Sequence, residues 1–332
     1  VNFYLGEIYA RLGFEDYAIA TLRETEFGES WELRNAAWRV HSELNQWVPN
    51  VRAAFFGQFD SNVLLLPREG EIPLEYASAS GFSTVFLGQA GVSTSSAQKW
   101  VGALDVSFYM NNHLKLDQAV FDLFQLALQP KVRRWNQKNL EGVAGYSFSR
   151  SWNDRVSFRQ FQTAHGPHLH GRYFPSQRWN WELGFDLRFN SFPQEAESGL
   201  LRRSGGYWAP YLRLSQVSPN PRLRPGFEYR FSNDFGVGEI YRSRAHQFGV
   251  DAQLRLFEHT HLNAAINLAL VQFPQHPTGR SDTRLIARLG LVQLVHRNWS
   301  LLIDATQVES ASNFKDYSYR QTTVSGGVSF QY

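Results

Sequence analysis

Apolar and polar residues alternate with a period of two from about residue 50 to the C-terminus. This spacing is typical of strands whose two faces meet different surroundings. Counting back by twos from the end of the chain gives the apolar set Tyr332, Phe330, Val328, Gly326 and Val324. The intervening residues are small or polar. A strand that crosses a bilayer within a closed barrel needs this division, because one face meets lipid and the other meets a polar interior.

The alternation predicts a mainly β fold, a transmembrane antiparallel β-barrel of about 14 strands. The predicted strands cover residues 50–59, 80–92, 99–110, 119–132, 138–149, 154–163, 178–190, 206–217, 221–232, 244–257, 260–273, 281–295, 298–308 and 318–332. In the second half of the chain, short connections alternate with longer ones, as in bacterial barrels. The connections at 149–154 and 164–177 break this order, so 12 to 16 strands stay possible.

Residues 1–48 follow a different pattern, which indicates α-helices. Small and apolar residues fall at the spacing of a tetratricopeptide repeat, at Leu5, Gly6, Tyr9, Gly13, Ala18 and Leu22. An unrelated helical hairpin is the alternative. We predict a tetratricopeptide-like segment over 1–48 and a barrel over 49–332. Because the chain opens inside an amphipathic segment, we expect its targeting segment to lie upstream of residue 1.

Composition supports a barrel over other classes of protein. The chain has no Cys, which excludes disulfides and thiolate metal sites, and its 26 Phe, 14 Tyr and 10 Trp favour strands and bilayer interfaces. A mean hydropathy of −0.38, with no run of about 18 apolar residues, argues against a helical membrane protein. A soluble β-sandwich or propeller also alternates, but Lys is almost absent from the polar face here. The net charge of +3 gives no reason to expect a nucleic-acid partner.

The polar face of the predicted strands carries many charged residues, which we expect to line the lumen. These candidates are Arg188, Arg213, Arg222, Arg224, Arg230, Arg255, Arg284, Arg288, Glu182, Asp186, Glu228, Asp251 and Asp304. Two interpretations stay open: a structural ion-pair network, or a basic track for an anionic solute or polysaccharide. The track is favoured locally by Arg222, Arg224 and Arg230, which share one strand face without balancing neighbours.

Other candidate sites are weaker. The run from His165 to His170 reads His-Gly-Pro-His-Leu-His, and three His so close could ligate a metal. No acidic or Cys residue lies near it, so we expect a solvated or mouth-lining loop and predict no metal site. No nucleophile motif stands out, so we predict no enzyme activity, no catalytic residue and no cofactor. Asp60, Ser61 and Asn62 favour a tight, self-hydrogen-bonded turn at the end of the first strand.

The organisation of the chain resembles a known group of proteins. Tetratricopeptide-like helices run into a barrel whose first strand closes with Phe-Asp-Ser-Asn-Val at 59–63, followed by Pro67. This is similar to outer-membrane proteins with periplasmic tetratricopeptide repeats and a C-terminal barrel. Surface lipoprotein assembly modifiers are one branch, and exporters of exopolysaccharides of the poly-N-acetylglucosamine and cellulose type share the layout. The resemblance implies export or surface assembly and carries over no catalytic residue.

We therefore expect a barrel in the bacterial outer membrane that exports a lipoprotein, protein or polysaccharide, or assembles it at the cell surface. A non-conducting anchor of an envelope complex and a simple diffusion porin are the alternatives. The helices and the C-terminus would be periplasmic, and residues 1–48 would recruit periplasmic or envelope proteins. Other expected partners are outer-membrane lipid, lipopolysaccharide and the barrel-assembly machinery, for which Phe330 and Tyr332 would form the recognition signal.

Overall fold

The protein is described by a computed structural model that covers residues 47–63, 80–95, 100–115, 121–135, 139–153, 158–176, 178–193, 202–216 and 222–332. These residues form fourteen antiparallel strands that close into one barrel. The strands are β1 (Trp47–Asp60), β2 (Gly81–Ser95), β3 (Trp100–His113), β4 (Leu123–Trp135), β5 (Leu140–Asn153), β6 (Arg159–Ser176), β7 (Trp179–Ser191), β8 (Gly205–Gln216), β9 (Leu223–Asp234), β10 (Ser243–Phe257), β11 (Thr260–Gln272), β12 (Ser281–His296), β13 (Trp299–Ser312) and β14 (Tyr319–Gln331). Two short 3₁₀ turns, Glu239–Tyr241 and Lys315–Tyr317, precede β10 and β14.

Each strand pairs with its neighbours in sequence, and β1 pairs with β14 to close the cylinder. The predicted count of fourteen strands is confirmed. We call the end where β1 begins and β14 stops the terminal end, and the opposite end the loop end. Connections at the terminal end are short, such as 258–259 and 297–298, whereas those at the loop end include 192–204 and 235–242.

The helical segment predicted over 1–48 falls almost wholly on residues 1–46, which lie outside the described residues. Strand β1 already begins at Trp47, two residues before the predicted barrel boundary. Pro49 therefore belongs to the first strand. The nitrogen of Pro49 faces the same side as the amide of Val51, which donates to Tyr332. Strand β14 has already ended at the level of Pro49, so no ladder bond is lost by its missing N–H.

The region between 149 and 178 contains the error of the sequence prediction. Strand β6 is 18 residues long and includes the whole run from His165 to His170, which was expected to be a loop. The short connection is therefore 177–178 and the longer one 154–158, which restores the alternation. Gly166 and Pro167 are turn signals in most sequences. Here the β5 side of the ladder continues through both residues, and only the β7 side is interrupted.

Proline interrupts the backbone ladder in the same way at three places. The β4–β5 ladder skips Pro130, the β6–β7 ladder skips Pro167, and the β8–β9 ladder skips Pro210. On its other side each proline keeps a paired neighbour. A proline without an N–H can break only one of its two ladders, so the strand stays in the sheet.

The outer face of the barrel is apolar and exposed. Leu183 is 65% exposed, Ile303 58% and Phe55 51%, and each lies on the face shared with the apolar set of β14. In a water-soluble fold such side chains would be covered by a second layer of structure. An uncovered apolar belt around a closed sheet is typical of a barrel whose outer surface meets lipid.

Aromatic side chains lie near both ends of the outer face. At the terminal end, the rings of Trp299 and Phe330 are 5.1 Å apart and the guanidinium of Arg134 lies 5.0 Å from the ring of Trp100. Toward the loop end, an aromatic row crosses successive strands and includes Phe108, Phe124 and Trp152. Two aromatic girdles are the usual boundary of a lipid-facing belt. No helix in the described part of the chain is long and apolar enough to cross a membrane.

Candidate functional site

The candidate site is the inner face of the barrel, which the strand register defines. Glu182 pairs with Arg213 across β7 and β8, and Arg213 pairs with Glu228 across β8 and β9. Residues paired directly across two strands point to the same face of the sheet, so these three charges share one face. Exposed apolar residues such as Leu183 lie on the other face. The inner face within the strands also carries Asp186, Arg188, Arg224, Arg230, Asp251, Arg255, Arg284, Arg288 and Asp304.

The first charged group on this face is centred on Glu182. One of its carboxylate oxygens accepts a hydrogen bond from Nε of Arg172 at 2.6 Å, and the other accepts one from the hydroxyl of Tyr211 at 2.8 Å. Glu141 adds a second carboxylate 3.8 Å from the guanidinium of Arg172. Strands β5 to β8 are therefore joined by side chains across the inner face.

A second group joins strands β7 to β10. Arg230 bonds to Asp186 at 3.0 Å, and Arg213 bonds to Asp251 at 2.8 Å. Each of these ion pairs passes over an intervening strand, and Glu228 lies 3.4 Å from both guanidinium groups. Alternating charges over several strands form a network in which each Arg contacts two carboxylates.

Glycines on the inner face give this network room. A Cβ on Gly226 would lie 2.7 Å from a carboxylate oxygen of Asp251, so Asp251 leans across β9 toward Arg213. A Cβ on Gly184 would collide with the ring of Tyr211, which lies flat over that glycine. The side chains of Asp251 and Tyr211 therefore extend along the wall instead of into the centre of the lumen.

The inner-face charges are not all paired. The expectation that Arg230 lacks a balancing neighbour is wrong, because Asp186 and Glu228 both contact it. Arg288 is also paired, with Asp304 at 2.7 Å. Arg222, in the turn before β9, and Arg224 form no ion pair with any described residue.

Sequence reasoning missed several members of the network. Arg172, Glu141 and Tyr211 were not candidates, and neither were Lys131 and Asp105, which form an ion pair of 2.5 Å on β3 and β4. Arg172 was hidden because its part of β6 was expected to be a loop. Arg172 lies on the same face of β6 as His168 and His170. A prediction that continued the strand through Pro167 would have placed Arg172 on the inner face.

The three His of β6 do not converge. His168 and His170 lie on the inner face, opposite Gly145 and Val143 of β5, whereas His165 lies on the outer face. There, Nδ1 of His165 is 2.6 Å from the hydroxyl of Tyr146. Within the described ranges no three His, Cys, Asp or Glu side chains are grouped as metal ligands would be.

The predicted turn after β1 is present and also contributes to closure of the barrel. The amide of Asn62 donates to Asp60 at 2.8 Å, which is the expected self-hydrogen-bonded turn. The other carboxylate oxygen of Asp60 accepts from the side chain of Gln321 on β14 at 2.6 Å. Ser61 adds a backbone bond to Thr322 of 2.9 Å. A short local motif therefore fastens the first strand to the last.

Two parts of the inner face contrast sharply. We call the inner face of β5 to β10 the charged wall. We call the inner face of β14, β1 and β2 the small-residue wall, since small or uncharged polar residues such as Ser325, Gly327 and Ser83 dominate it. Its described charges are Arg52 and Asp60. Inner side chains stay in contact with solvent: Asp251 is 37% exposed and Arg288 63%.

Solved structures of similar shape are outer-membrane proteins. The outer membrane channel DcaP of Acinetobacter baumannii matches with a TM-score of 0.52 and 6% identity, over 86% of this chain and 97% of that one. The chain has the fold of an outer-membrane β-barrel. OmpT of Vibrio cholerae matches with a TM-score of 0.47 and 7% identity, over 87% of this chain and 98% of that one. An anion-selective porin from Comamonas acidovorans matches with a TM-score of 0.45 and 8% identity, over 86% of this chain and 99% of that one.

These likenesses concern the backbone alone, because the identities are so low. No family model matches the chain, and no curated protein matches its sequence. The chemistry of the inner face must therefore be judged from its own residues. Fixed charges in contact with water, set on a rigid closed sheet, can bind, steer or repel ions and polar solutes.

Proposed function

We propose that this protein is a non-enzymatic barrel of the bacterial outer membrane that transports a polar cargo through or along its lumen. The observation that carries the proposal is the contrast between the two faces of one closed sheet. The outer face is an uncovered apolar belt, and the inner face is polar, charged and in contact with solvent. A structural anchor needs the first property but not the second.

The number of strands agrees with transport. Barrels of about eight strands fill their interior with side chains, whereas those of 16 to 18 leave an aqueous channel. Fourteen strands lie toward the wider end of this range. The inward glycines, and side chains that lie along the wall, leave more of the lumen free than long inward side chains would.

Planar-bilayer recording of the full chain tests this function. A conducting barrel gives discrete current steps that scale with salt concentration, and steady open current would favour the simple diffusion porin. A barrel whose lumen is gated would carry no current until its cargo or its N-terminal segment is disturbed. Silence of both the full chain and a variant that begins at Trp47 would contradict transport and favour the anchor.

The finer form of the proposal concerns export or surface assembly of a lipoprotein, protein or polysaccharide. It is supported by the likeness of the sequence layout to barrels with periplasmic tetratricopeptide repeats. Residues 1–48 would recruit periplasmic or envelope partners, and the terminal end of the barrel would face the periplasm. The barrel-assembly machinery would recognise Phe330 and Tyr332, and lipopolysaccharide would contact the outer face.

Removal of residues 1–46 separates this finer form from a porin. Because β1 begins at Trp47, the truncated chain keeps every described strand. We expect it to fold into vesicles and to lose capture of periplasmic proteins that the full chain retains on a column. Equal capture by both chains would contradict a recruiting role for the segment.

A further inference from the structure

Basic residues gather at the terminal end of the inner face, where β9, β10 and β11 meet. Arg222 and Arg224 lie two residues apart at the start of β9, on the same parity. The backbone amide of Arg255 donates to the carbonyl of Arg222 at 2.7 Å, and Arg255 pairs directly with His261 of β11. We call Arg222, Arg224, Arg255 and His261 the mouth cluster.

Three members of the cluster, Arg224, Arg255 and His261, are near enough to interact electrostatically. Arg224, Arg255 and His259 all act on the imidazole of His261, and no carboxylate of the described residues acts beside them. The nearest acid on the inner face of β10 is Asp251, which is bound to Arg213 at 2.8 Å. Glu258, in the turn between β10 and β11, is exposed and forms no ion pair with a described residue.

Arg222 and Arg224 differ from the Arg residues of the two charged groups. Arg172, Arg213 and Arg230 each contact a carboxylate within 3.0 Å. Like charges on neighbouring strands repel one another and destabilise a sheet unless something neutralises them. Arg222 and Arg224, both exposed, have no ion-pair partner among the described residues, so two guanidinium groups are free to bind an anion.

The inner face above the cluster continues with neutral donors. Gln253 pairs with Arg224 on one side and with Asn263 on the other. Asn267 follows two positions beyond Ala265, with its side chain lying over Gly249. Amides next to guanidinium groups can bind the oxygens of an anionic chain after its first charged group is held.

We propose that the mouth cluster binds the phosphate or carboxylate groups of a multivalent anion that enters the barrel at its terminal end. Guanidinium groups match both of these anions through paired N–H donors. Residues in adjacent strands, and alternate residues along one strand, are spaced roughly 5 to 7 Å apart, so the site holds several anionic groups at once. The direction of entry rests on the proposed function, whereas binding itself does not.

Calorimetric titration of the full chain in detergent micelles tests binding, with inorganic tripolyphosphate and trigalacturonate as separate probes. The double variant R222Q/R224Q should bind at least one of them about tenfold or more weakly, because two charge-assisted contacts are lost. Both substituted residues are exposed and have no ion pair within the described part of the chain, so we expect the thermal unfolding midpoint to stay unchanged. If the double variant loses affinity for tripolyphosphate alone, the site binds phosphates. If it loses affinity for trigalacturonate alone, the site binds carboxylates.

The matched control is R52Q/R244Q, which also removes two positive charges. Arg52 belongs to the small-residue wall, and Arg244 lies on the outer face near the loop end. This control should keep its affinity within about twofold. Equal weakening in both double variants would mean a general charge effect and would overturn the site, as would unchanged affinity in R222Q/R224Q.

Conductance separates failure of this site from failure of the transport function. With the barrel inserted in one orientation, tripolyphosphate added at the terminal end should block current at a lower concentration than when it is added at the loop end. R222Q/R224Q should remove the difference. Binding without conductance of either the full chain or the variant that begins at Trp47 upholds the site and contradicts transport, whereas conductance with equal block from both ends contradicts the site and upholds transport.

Discussion

The charged wall and the small-residue wall hold the same sheet together in different ways. In the small-residue wall the backbone ladders are continuous, from Trp47 to Asp60 between β1 and β2 and from Arg52 to Asp60 between β1 and β14. In the charged wall two ladders are interrupted, at Pro167 between β6 and β7 and at Pro210 between β8 and β9.

Several ion pairs of the charged wall lie across the interrupted ladders. Arg172 and Glu182 join β6 to β7, and Arg213 and Glu228 join β8 to β9. Arg230 reaches from β9 over β8 to Asp186 on β7. Side-chain bonds thus reinforce the interfaces where backbone bonds are missing. One cylinder can therefore be stabilised by close backbone approach on one side and by charge on the other.

The largest expected effect tests close approach in the small-residue wall. A Cβ on Gly327 would overlap the carbonyl oxygen of Phe55, whereas one on Gly326 would meet only the carbonyl oxygen of Leu302, at 4.0 Å. We expect Gly327→Ala to lower the free energy of unfolding by about 3 kcal/mol and Gly326→Ala to change it by less than about 1 kcal/mol. Urea titration in lipid vesicles, followed by Trp fluorescence, measures both.

Equal stability of the two glycine variants would show that the seam between β1 and β14 can shift without cost. The proposed distinction between the walls would then fail at its first point, because the small-residue wall would not depend on close packing.

A smaller effect is expected in the charged wall. Glu182→Gln removes the charge that Arg172 contacts most closely, and should cost about 2 kcal/mol, less than for a fully buried pair because Arg172 is partly exposed. Ser325→Ala on the small-residue wall is the control and should cost less than about 0.5 kcal/mol. The same urea titration at low and high salt measures the difference.

The salt dependence decides the interpretation of this pair of variants. If charge stabilises the charged wall, the gap between wild type and Glu182→Gln should narrow as salt increases. A gap that is independent of salt would indicate that Glu182 acts through packing or neutral hydrogen bonds alone.

The smallest effect compares two similar turns. Asp60 bonds both to Asn62 and across the closing seam to Gln321, whereas among the described residues Asp234 accepts a side-chain bond only from the nearby amide of Gly236, at 3.0 Å. We expect Asp60→Ala to cost about 1 to 2 kcal/mol and Asp234→Ala about half as much. Thermal unfolding of the two variants in the same micelles tests this order, and a reversed order would contradict a closing role for Asp60.

Much of the fold could be predicted from the alternation of residues. The parity of β7, β9 and β14 gave the two faces correctly, because only a two-residue period separates lipid-facing from inward side chains. The ion-pair partners could not be predicted, since the contact between Arg213 and Asp251 depends on the relative register of three strands. The error at Gly166 and Pro167 arose because local turn propensity was overridden by continued pairing on one side.

The interrupted ladders give the barrel an uneven response to its ionic surroundings. Backbone hydrogen bonds between strands depend little on salt concentration. Ion pairs between carboxylates and guanidinium groups in contact with water become weaker as the salt concentration rises. A charged solute inside the barrel would therefore weaken the ion pairs of the charged wall and leave the backbone ladders of the small-residue wall unchanged.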